Sequence, residues 1–267
     1  MHIFKYEFKT HFRSVVIWSL SIMCLLFVFL SVSQSFATNS RLMDDMMQSF
    51  PKELLIAFGM ENMDWSTILG FYGLVFLFCQ VCLAIQAANY GFGLLSIEES
   101  ELTADFLLTK PINRKRILTA KLAAAFLSLI ITALMVCLSS LLFISVYDDG
   151  GGYEFKPLLL LFLTIPVFQL FFLSVGMFLS LMVKRVRSVI PFSMALVFGL
   201  YILNTFGGMI GDQNLEILSP FTHFDASYIL KNSAYDTPLV LISVSVIVIS
   251  IVGSYVLYDR RNISSAL

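Results

Sequence analysis

The run from Trp65 to Ile97, WSTILGFYGLVFLFCQVCLAIQAANYGFGLLSI, contains 33 residues and no charged side chain. A helix needs about 20 apolar residues to cross the roughly 30 Å of hydrocarbon in a bilayer, so this run is long enough to span a membrane. Because no water reaches the bilayer core, a spanning segment must be a helix or part of a closed barrel. The run is far longer than a barrel strand and does not alternate polar with apolar residues. It therefore predicts a transmembrane helix.

Five further charge-free runs have the same character: Ser14–Ser40, Leu122–Tyr147, Pro157–Val183, Ser188–Gly211 and Thr237–Tyr258. The chain is 58% hydrophobic, which lies outside the usual range of soluble proteins. We expect an all-α polytopic membrane protein with one transmembrane domain over residues 1–267. The expected spans cover about residues 15–36, 66–95, 118–147, 158–183, 189–210 and 238–257. The first run is about twice as long as a signal-peptide core and lacks a clean cleavage site, so we expect it to be retained.

Lysine and arginine residues divide unevenly between the two sides that six crossing helices define. The side of the N-terminus has 13 of them, whereas the other side has four, Arg41, Lys52, Lys156 and Lys231. The carboxylates show the opposite bias, with six on the N-terminal side and twelve on the other. Because basic residues are enriched in cytoplasmic loops, we expect a protein of the cytoplasmic membrane with both termini in the cytoplasm.

The first 13 residues, MHIFKYEFKTHFR, have the pattern of a helix that lies in the membrane surface. Apolar side chains recur at helical spacing beside basic ones, with Met1, Phe4, Phe8 and Phe12 next to Lys5, Lys9 and Arg13. Such a helix buries its apolar face at the acyl boundary and directs its basic residues toward the lipid headgroups. A disordered basic leader is the alternative.

Two outer segments also carry signals of local structure. Between Thr38 and Asp64, apolar and acidic residues mix, and Pro51 suits the start of a short amphipathic helix. The last outer segment, Asp212 to Asp236, contains Pro220 and three aromatic residues, Phe221, Phe224 and Tyr228. We expect an ordered element there, not a solvated linker.

Uncharged polar residues form a stripe on the second span. Cys82, Gln86, Asn89 and Gly93 follow a spacing of four, three and four residues, so they share one helix face. Gln169 lies three residues after Pro166 in the fourth span. Gln86, Asn89 and Gln169 either hydrogen-bond between packed helices or line a route for a substrate with polar parts. Both interpretations remain open at this point.

The pattern of reactive residues argues against an enzyme active site. The six charge-free runs contain no ionisable residue of the kind that serves proton relays or intramembrane catalysis, and the three histidines (His2, His11 and His223) lack metal-ligand spacing. The Cys79–Cys82 CxxC lies inside a span, where cysteines act as small packed hydrophobes. No phosphate-binding loop of the Gly-Lys-Ser/Thr type is present. We therefore expect no cofactor, metal or nucleic-acid partner for this chain, and an external energy source for any transport.

The connection between the second and third spans, EESELTADFLLTKPINRKRILTAK from Glu98 to Lys121, has a different character. Acidic residues lie at its start, and an apolar side built around Leu102, Phe106 and Leu107 follows before Pro111. Acids in a first turn complement the helix dipole, and a proline ends a helix. We expect a short helix over 97–110 with an apolar face that needs a partner, followed by a basic cluster through Lys121 at the headgroups. A membrane-surface helix without a partner is the alternative.

This connection resembles the cytoplasmic loop of type-2 ABC transporter permeases. That loop has paired acids, a Thr or Gly, a leucine-rich turn, a proline, a basic residue, an apolar residue and a lysine. The matching residues here are Glu98 and Glu99, Thr103, Leu107 and Leu108, Pro111, Arg114, Ile117 and Lys121. The N-terminal amphipathic segment, the six spans, the LSPF stretch at 218–221 and the YDRRNI stretch at 258–263 extend the resemblance over nearly the whole chain. The short length and the lack of a fused nucleotide-binding domain resemble a half-size bacterial subgroup that includes antibiotic-resistance exporters.

The resemblance implies a permease subunit of an ATP-driven exporter. In the family, the loop forms a coupling helix that docks on a separate ATPase, and two permeases, of the same or a related chain, assemble with two ATPase subunits that bind ATP and Mg²⁺. It implies an ATPase contact set of Glu98, Glu99, Thr103, Phe106, Leu107, Pro111 and Arg114. Spans rich in Phe and Met without charge fit an amphipathic substrate, such as a peptide antibiotic or a lipid, better than a bare ion. The alternatives are an intramembrane lipid-modifying enzyme and a non-transporting membrane scaffold or sensor.

Overall fold

The computed structural model describes residues 2–38, 49–57, 60, 64, 67–100, 113–148, 152–183, 186, 188–211 and 213–260. Within these ranges every regular element is a helix. Six helices are long and apolar enough to cross a membrane. They are α1 (His2–Thr38), α3 (Ile68–Ser100), α4 (Arg114–Tyr147), α5 (Phe155–Met182), α6 (Val189–Ile210) and α10 (Thr237–Arg260). The predicted all-α polytopic fold with six spanning helices is confirmed.

Four short helices complete the described part of the chain: α2 (Lys52–Ala57), α7 (Gln213–Ile217), α8 (Pro220–His223) and α9 (Ala226–Asn232). α2 begins directly after Pro51, as predicted. α8 begins at Pro220, where Ser219 accepts a hydrogen bond from the backbone N–H of Phe221 and caps the helix. The expectation of an ordered element between the fifth and sixth spans is therefore confirmed.

The start of α1 and the end of α10 lie on the same side of the bundle, which we call the N-terminal side. The start of α4 contacts the end of α10, because Lys115 Nζ lies 3.6 Å from Asp259 Oδ2. The same part of α4 contacts the start of α1, because Lys121 Nζ lies 2.9 Å from Glu7 Oε1. The short helices α7–α9, the end of α4 and the start of α5 lie on the opposite side, the far side.

Two helix pairs form the centre of the bundle. α3 packs most extensively on α5, and α1 packs most extensively on α4, while α10 covers α5 and α6 covers part of α3. Small residues bring α3 and α5 together, since a Cβ atom at Gly91 would lie only 2.4 Å from the carbonyl oxygen of Leu173. In a bilayer, helix association depends on such close van der Waals packing because lipid is as apolar as the side chains. The α3–α5 contact is therefore backbone against backbone.

Two predicted boundaries differ from the structure. The segment 1–13 is predicted as a separate surface helix, but α1 runs without a break from His2 to Thr38. Its first turns pack on the bundle, where the ring of His11 lies 4.4 Å from the ring of Tyr90. The second span was expected to end near residue 95, and the candidate span ends at Leu95. The expected break before a new helix at 97 is absent, because α3 continues through Ser100. Sequence patterns mark where apolar character changes, and the backbone need not turn at those points.

Candidate functional site

The predicted ATPase contact set lies around the connection from α3 to α4. Glu98 and Glu99 belong to the last turn of α3, and Arg114 begins α4. The other four members, Thr103, Phe106, Leu107 and Pro111, lie outside the described residues, as does most of the predicted coupling helix over 97–110. The two helix ends that this connection joins are adjacent, because Lys121 of α4 donates to the carbonyl oxygen of Leu94 of α3 at 2.9 Å.

The start of α4 is fixed by local and tertiary contacts. The side chain of Asn113 accepts a hydrogen bond from the backbone N–H of Lys115 at 3.0 Å, which caps the helix. Arg114 is half-buried, and its Nη1 lies 3.5 Å from the carbonyl oxygen of Tyr258 in α10. Arg114 therefore links the end of the predicted coupling segment to the last spanning helix.

The prediction that the whole basic cluster lies at the lipid headgroups is wrong for Lys121, which is buried. Its side chain is only 4% exposed and contacts both Glu7 and the carbonyl oxygen of Leu94. The reason is helical spacing, because Lys121 shares the buried face of α4 with Ile117 and Ala124, whereas Lys115 lies on the exposed face. Nothing in the local sequence signals its partner, which lies more than a hundred residues earlier in the chain.

Of the two interpretations of the polar stripe on α3, the geometry at Gln86 supports helix packing. Gln86 is fully buried, and its Nε2 donates to Thr132 Oγ1 of α4 at 2.9 Å. The same nitrogen lies 3.4 Å from the hydroxyl of Tyr90. Gln169 of α5 is also fully buried, and its amide has no hydrogen-bond partner among the described residues; the same holds for the side-chain oxygen of Asn89. Gln86 therefore joins α3 to α4, while neither role is tested for Asn89 and Gln169.

An aromatic cluster connects the far-side helices to the bundle. Phe168 of α5 lies at its centre, with ring centroids 5.1 Å from Phe172, 5.3 Å from Phe221 and 6.1 Å from Phe224. Gln80 of α3 is buried and donates to the carbonyl oxygen of Phe224 at 2.9 Å. Ser219 and Phe221 of the LSPF segment are therefore buried in the bundle, whereas Leu218 is exposed. Sequence reasoning missed Gln80, although an amide two residues before Cys82, inside a charge-free run, was a signal for it.

His223 holds the same segment to α10. Its Nε2 lies 2.8 Å from the carbonyl oxygen of Ile217, so this nitrogen carries the proton and donates. Its Nδ1, 2.6 Å from Ser243 Oγ, then accepts from the hydroxyl in the neutral ring. Burial lowers the pKa of His223 below the usual 6.5, although the bond to Ile217 and the nearby Asp236 oppose this shift. The folded protein therefore favours the neutral form of the His223 imidazole.

A lowered histidine pKa predicts that stability falls on acidification. Above about pH 6.5 the ring is neutral in both folded and unfolded chains, and its contribution is fully present. As the pH falls from 6.5 toward the lowered pKa, the unfolded chain binds the proton first, so stability is lost. We expect the thermal unfolding midpoint in detergent to fall between pH 7 and pH 5, and His223→Gln to make that fall smaller. An equal fall in both proteins would contradict this role.

The far side has two cavities that flank α9. One of about 570 Å³ is lined by residues that include Asp64, Asp148, Glu154 and Lys231. The other, of about 720 Å³, shares Lys231 and is also lined by three acidic residues, Glu216, Asp225 and Asp236. Among the described residues, no group of three or more His, Cys, Asp or Glu side chains is placed to hold a metal ion. The described far-side surface is therefore acidic, in keeping with the charge bias of the sequence.

Comparison of the sequence with known protein families finds a match. Residues 1–263 match the family model described as "ABC-2 family transporter protein". No curated protein matches the chain. The match covers all six spanning helices together with the acid pair that ends α3 and the basic start of α4. From these features and the extent of the match, we conclude that the chain belongs to the ABC-2 family and is a multi-pass permease of that class of transporter.

Proposed function

We propose that this permease is the membrane subunit of an ATP-driven exporter and works with a separate ATPase subunit. The observation that carries the proposal is the family match over residues 1–263. A transporter needs an energy source, and the sequence has no phosphate-binding loop of the Gly-Lys-Ser/Thr type. ATP and Mg²⁺ are then held by the partner. The subgroup that fits is the half-size bacterial one that includes antibiotic-resistance exporters.

The segment proposed to contact the ATPase is the connection from α3 to α4. It carries the acid pair at one end and Arg114 at the other, with Phe106 and Leu107 between them. An apolar surface buried at an interface contributes roughly 25 cal/mol per Å², and the flanking charges suit a polar rim. Because the adjacent ends of α3 and α4 are bonded through Lys121, a displacement of this segment acts on two spanning helices together.

The proposed assembly has two permeases, either two copies of this chain or this chain with a related one, and two ATPase subunits. The N-terminal side faces the cytoplasm in this proposal, because 13 of the 17 basic residues fall there. The ATPase is then on the side that has ATP. The pairs Lys115–Asp259 and Lys121–Glu7 support a common side for the end of α10 and the start of α1.

The proposed substrate is amphipathic, of the peptide-antibiotic or lipid-like kind. The six helices present large apolar side chains to their surroundings, for example Leu138 of α4 and Ile249 of α10, which are 61% and 67% exposed. A substrate that partitions into the bilayer can reach such surfaces, whereas a bare ion needs charged or polar ligands along its path.

The test is retention of the ATPase by a tagged permease that carries Phe106→Asp and Leu107→Asp. We expect retention to fall by at least about tenfold, since one buried hot-spot side chain at an interface is typically worth about 2 kcal/mol. In vesicles made with the complex, ATP-dependent movement of a fluorescent amphipathic peptide should fall in parallel. Fluxes of small ions should be unchanged.

The matched control places the same substitutions on the far side. Ile217→Asp with Leu218→Asp changes two apolar residues that are 39% and 59% exposed. This pair should leave the ATPase bound. Loss of the ATPase from the far-side variant, or its full retention by the Phe106 and Leu107 variant, would contradict the proposed contact and sidedness.

A further inference from the structure

Three spanning helices meet at one buried polar point on the N-terminal side. Lys121 of α4 donates to the carbonyl oxygen of Leu94 in α3 at 2.9 Å, and it pairs with Glu7 of α1, also at 2.9 Å. Lys121 is 4% exposed and Glu7 is 17% exposed. We call these three residues the Lys121 joint. It is the point where the ends of α1, α3 and α4 are bonded to one another.

The joint is reinforced by the neighbouring turns of α1 and α3. His11, one turn after Glu7, lies 4.0 Å from the Glu7 carboxylate through its Nε2. The His11 ring also lies 4.4 Å from the ring of Tyr90, one turn before Leu94. α1 and α3 are therefore in direct contact one turn away from the groups that Lys121 bonds.

Stability alone does not account for a buried charge at this point. Desolvation of an ion pair offsets much of its Coulomb attraction, and well-packed apolar residues of similar volume often give an equally stable fold. A hydrogen-bonded pair differs from apolar packing in that it fixes direction and register. Because one Lys121 ammonium group bonds two other helices, it fixes the relative position of three helix ends.

We propose that Lys121 is a positioning residue for transport, which holds the ends of α1, α3 and α4 together so that they move as one unit. Leu94 lies four residues before Glu98, where the proposed ATPase-contact set begins, and six residues before Ser100, the last residue of α3. A displacement of that segment is then passed to α1 and α4 as well as α3. The role in transport rests on the proposed function, whereas the bonding of the three ends does not.

The chain offers a matched control pair on the same helix. Lys115 pairs with Asp259 at 3.6 Å, but the two side chains are 59% and 52% exposed. Exposed pairs contribute little because water screens them. The control variant Lys115→Met, Asp259→Leu therefore replaces an ion pair by two apolar side chains, as Lys121→Met, Glu7→Leu does. The pair that it removes is exposed and is not part of the Lys121 joint.

The first experiment uses the full permease in detergent without any ATPase and measures hydrogen–deuterium exchange. The Lys121→Met, Glu7→Leu variant should exchange roughly tenfold faster in peptides that cover residues 2–10 and 94–100, because local opening is easier there. The control pair should exchange as the wild type does. Unchanged exchange in the first variant would overturn the joint, whatever the function of the protein. If that variant does not fold, Glu7→Gln keeps the side-chain volume, and a change of about threefold is expected.

The second experiment measures the amount of amphipathic peptide moved per ATP hydrolysed by the complex in vesicles. The Lys121→Met, Glu7→Leu variant should lose at least about tenfold in this ratio, while its unfolding temperature stays near that of the wild type. The single variant Lys121→Arg, which keeps Glu7 as its partner, should retain most of the wild-type ratio. A normal ratio in the double variant would overturn the role in transport and leave the joint structural. Failure of the wild-type chain to retain any ATPase would instead contradict the proposed function, and the exchange result would still decide whether the joint exists.

Discussion

Replacing Gly91 with alanine is expected to destabilise the helix bundle by about 3 kcal/mol or more, at the upper end of the usual cost of overpacking. The new Cβ would lie 2.4 Å from the carbonyl oxygen of Leu173 and 2.9 Å from the backbone nitrogen of Met177. Both are main-chain atoms, so no side-chain rotation relieves the contact. α3 and α5 must move apart, and the close packing that holds them in the bilayer is lost along their length.

Two other glycines make the Gly91 experiment a graded series. Gly176→Ala places a Cβ 3.2 Å from the carbonyl oxygen of Ala88, so a smaller loss is expected. Gly199→Ala has nothing within 4 Å of its Cβ, and alanine is favoured over glycine in a helix by about 0.5–1 kcal/mol, so no loss is expected. The measurement is the unfolding midpoint in detergent. A Gly91 variant as stable as the Gly199 variant would refute the backbone contact between α3 and α5.

The second large effect is expected for Phe168→Ala. Phe168 is 1% exposed, and its ring contacts Phe172, Phe221 and Phe224. Truncation of a buried phenylalanine typically costs about 3–5 kcal/mol, because the neighbours fill the cavity only in part. Since Phe221 and Phe224 belong to the far-side segment, we also expect that segment to loosen from α5.

The control for Phe168 is a phenylalanine that faces the surroundings of the bundle. Phe198 of α6 is 43% exposed, so Phe198→Ala leaves less of a cavity inside the protein. Unfolding midpoints give the stability of both variants, and limited proteolysis between α6 and α10 reports whether the far-side helices have loosened. Equal losses for the two variants would show that Phe168 does not support the segment.

The spanning helices could be predicted from the sequence because the bilayer imposes a simple length rule. Charge-free runs such as Trp65–Ile97 are long enough to cross it, and each of the six runs lies largely within one of the six long helices. Pro51 predicted the start of a short helix in the same way, and Pro220 with its aromatic neighbours predicted an ordered element. These features depend on residues that are neighbours in the chain.

Contacts between distant residues could not be predicted in this way. Lys121 has the local pattern of a headgroup residue, and only the packing of α4 on α1 gives it Glu7 as a partner. The same packing explains why the predicted break after Arg13 is absent. For the predicted ATPase contacts, the order of residues from Glu98 to Arg114 supplied the hypothesis, and its physical test needs the partner subunit.

Helix pairing has a consequence for how the chain is made. α3 ends at Ser100, but its main partner, α5, begins only at Phe155. α1 likewise must wait for α4 before its own main contact can form. A ribosome-bound chain that stops before Phe155 therefore leaves the Gly91 face without its partner. Insertion machinery or lipid must protect that face until α5 enters the bilayer, and such unpaired intermediates are the stage most open to degradation.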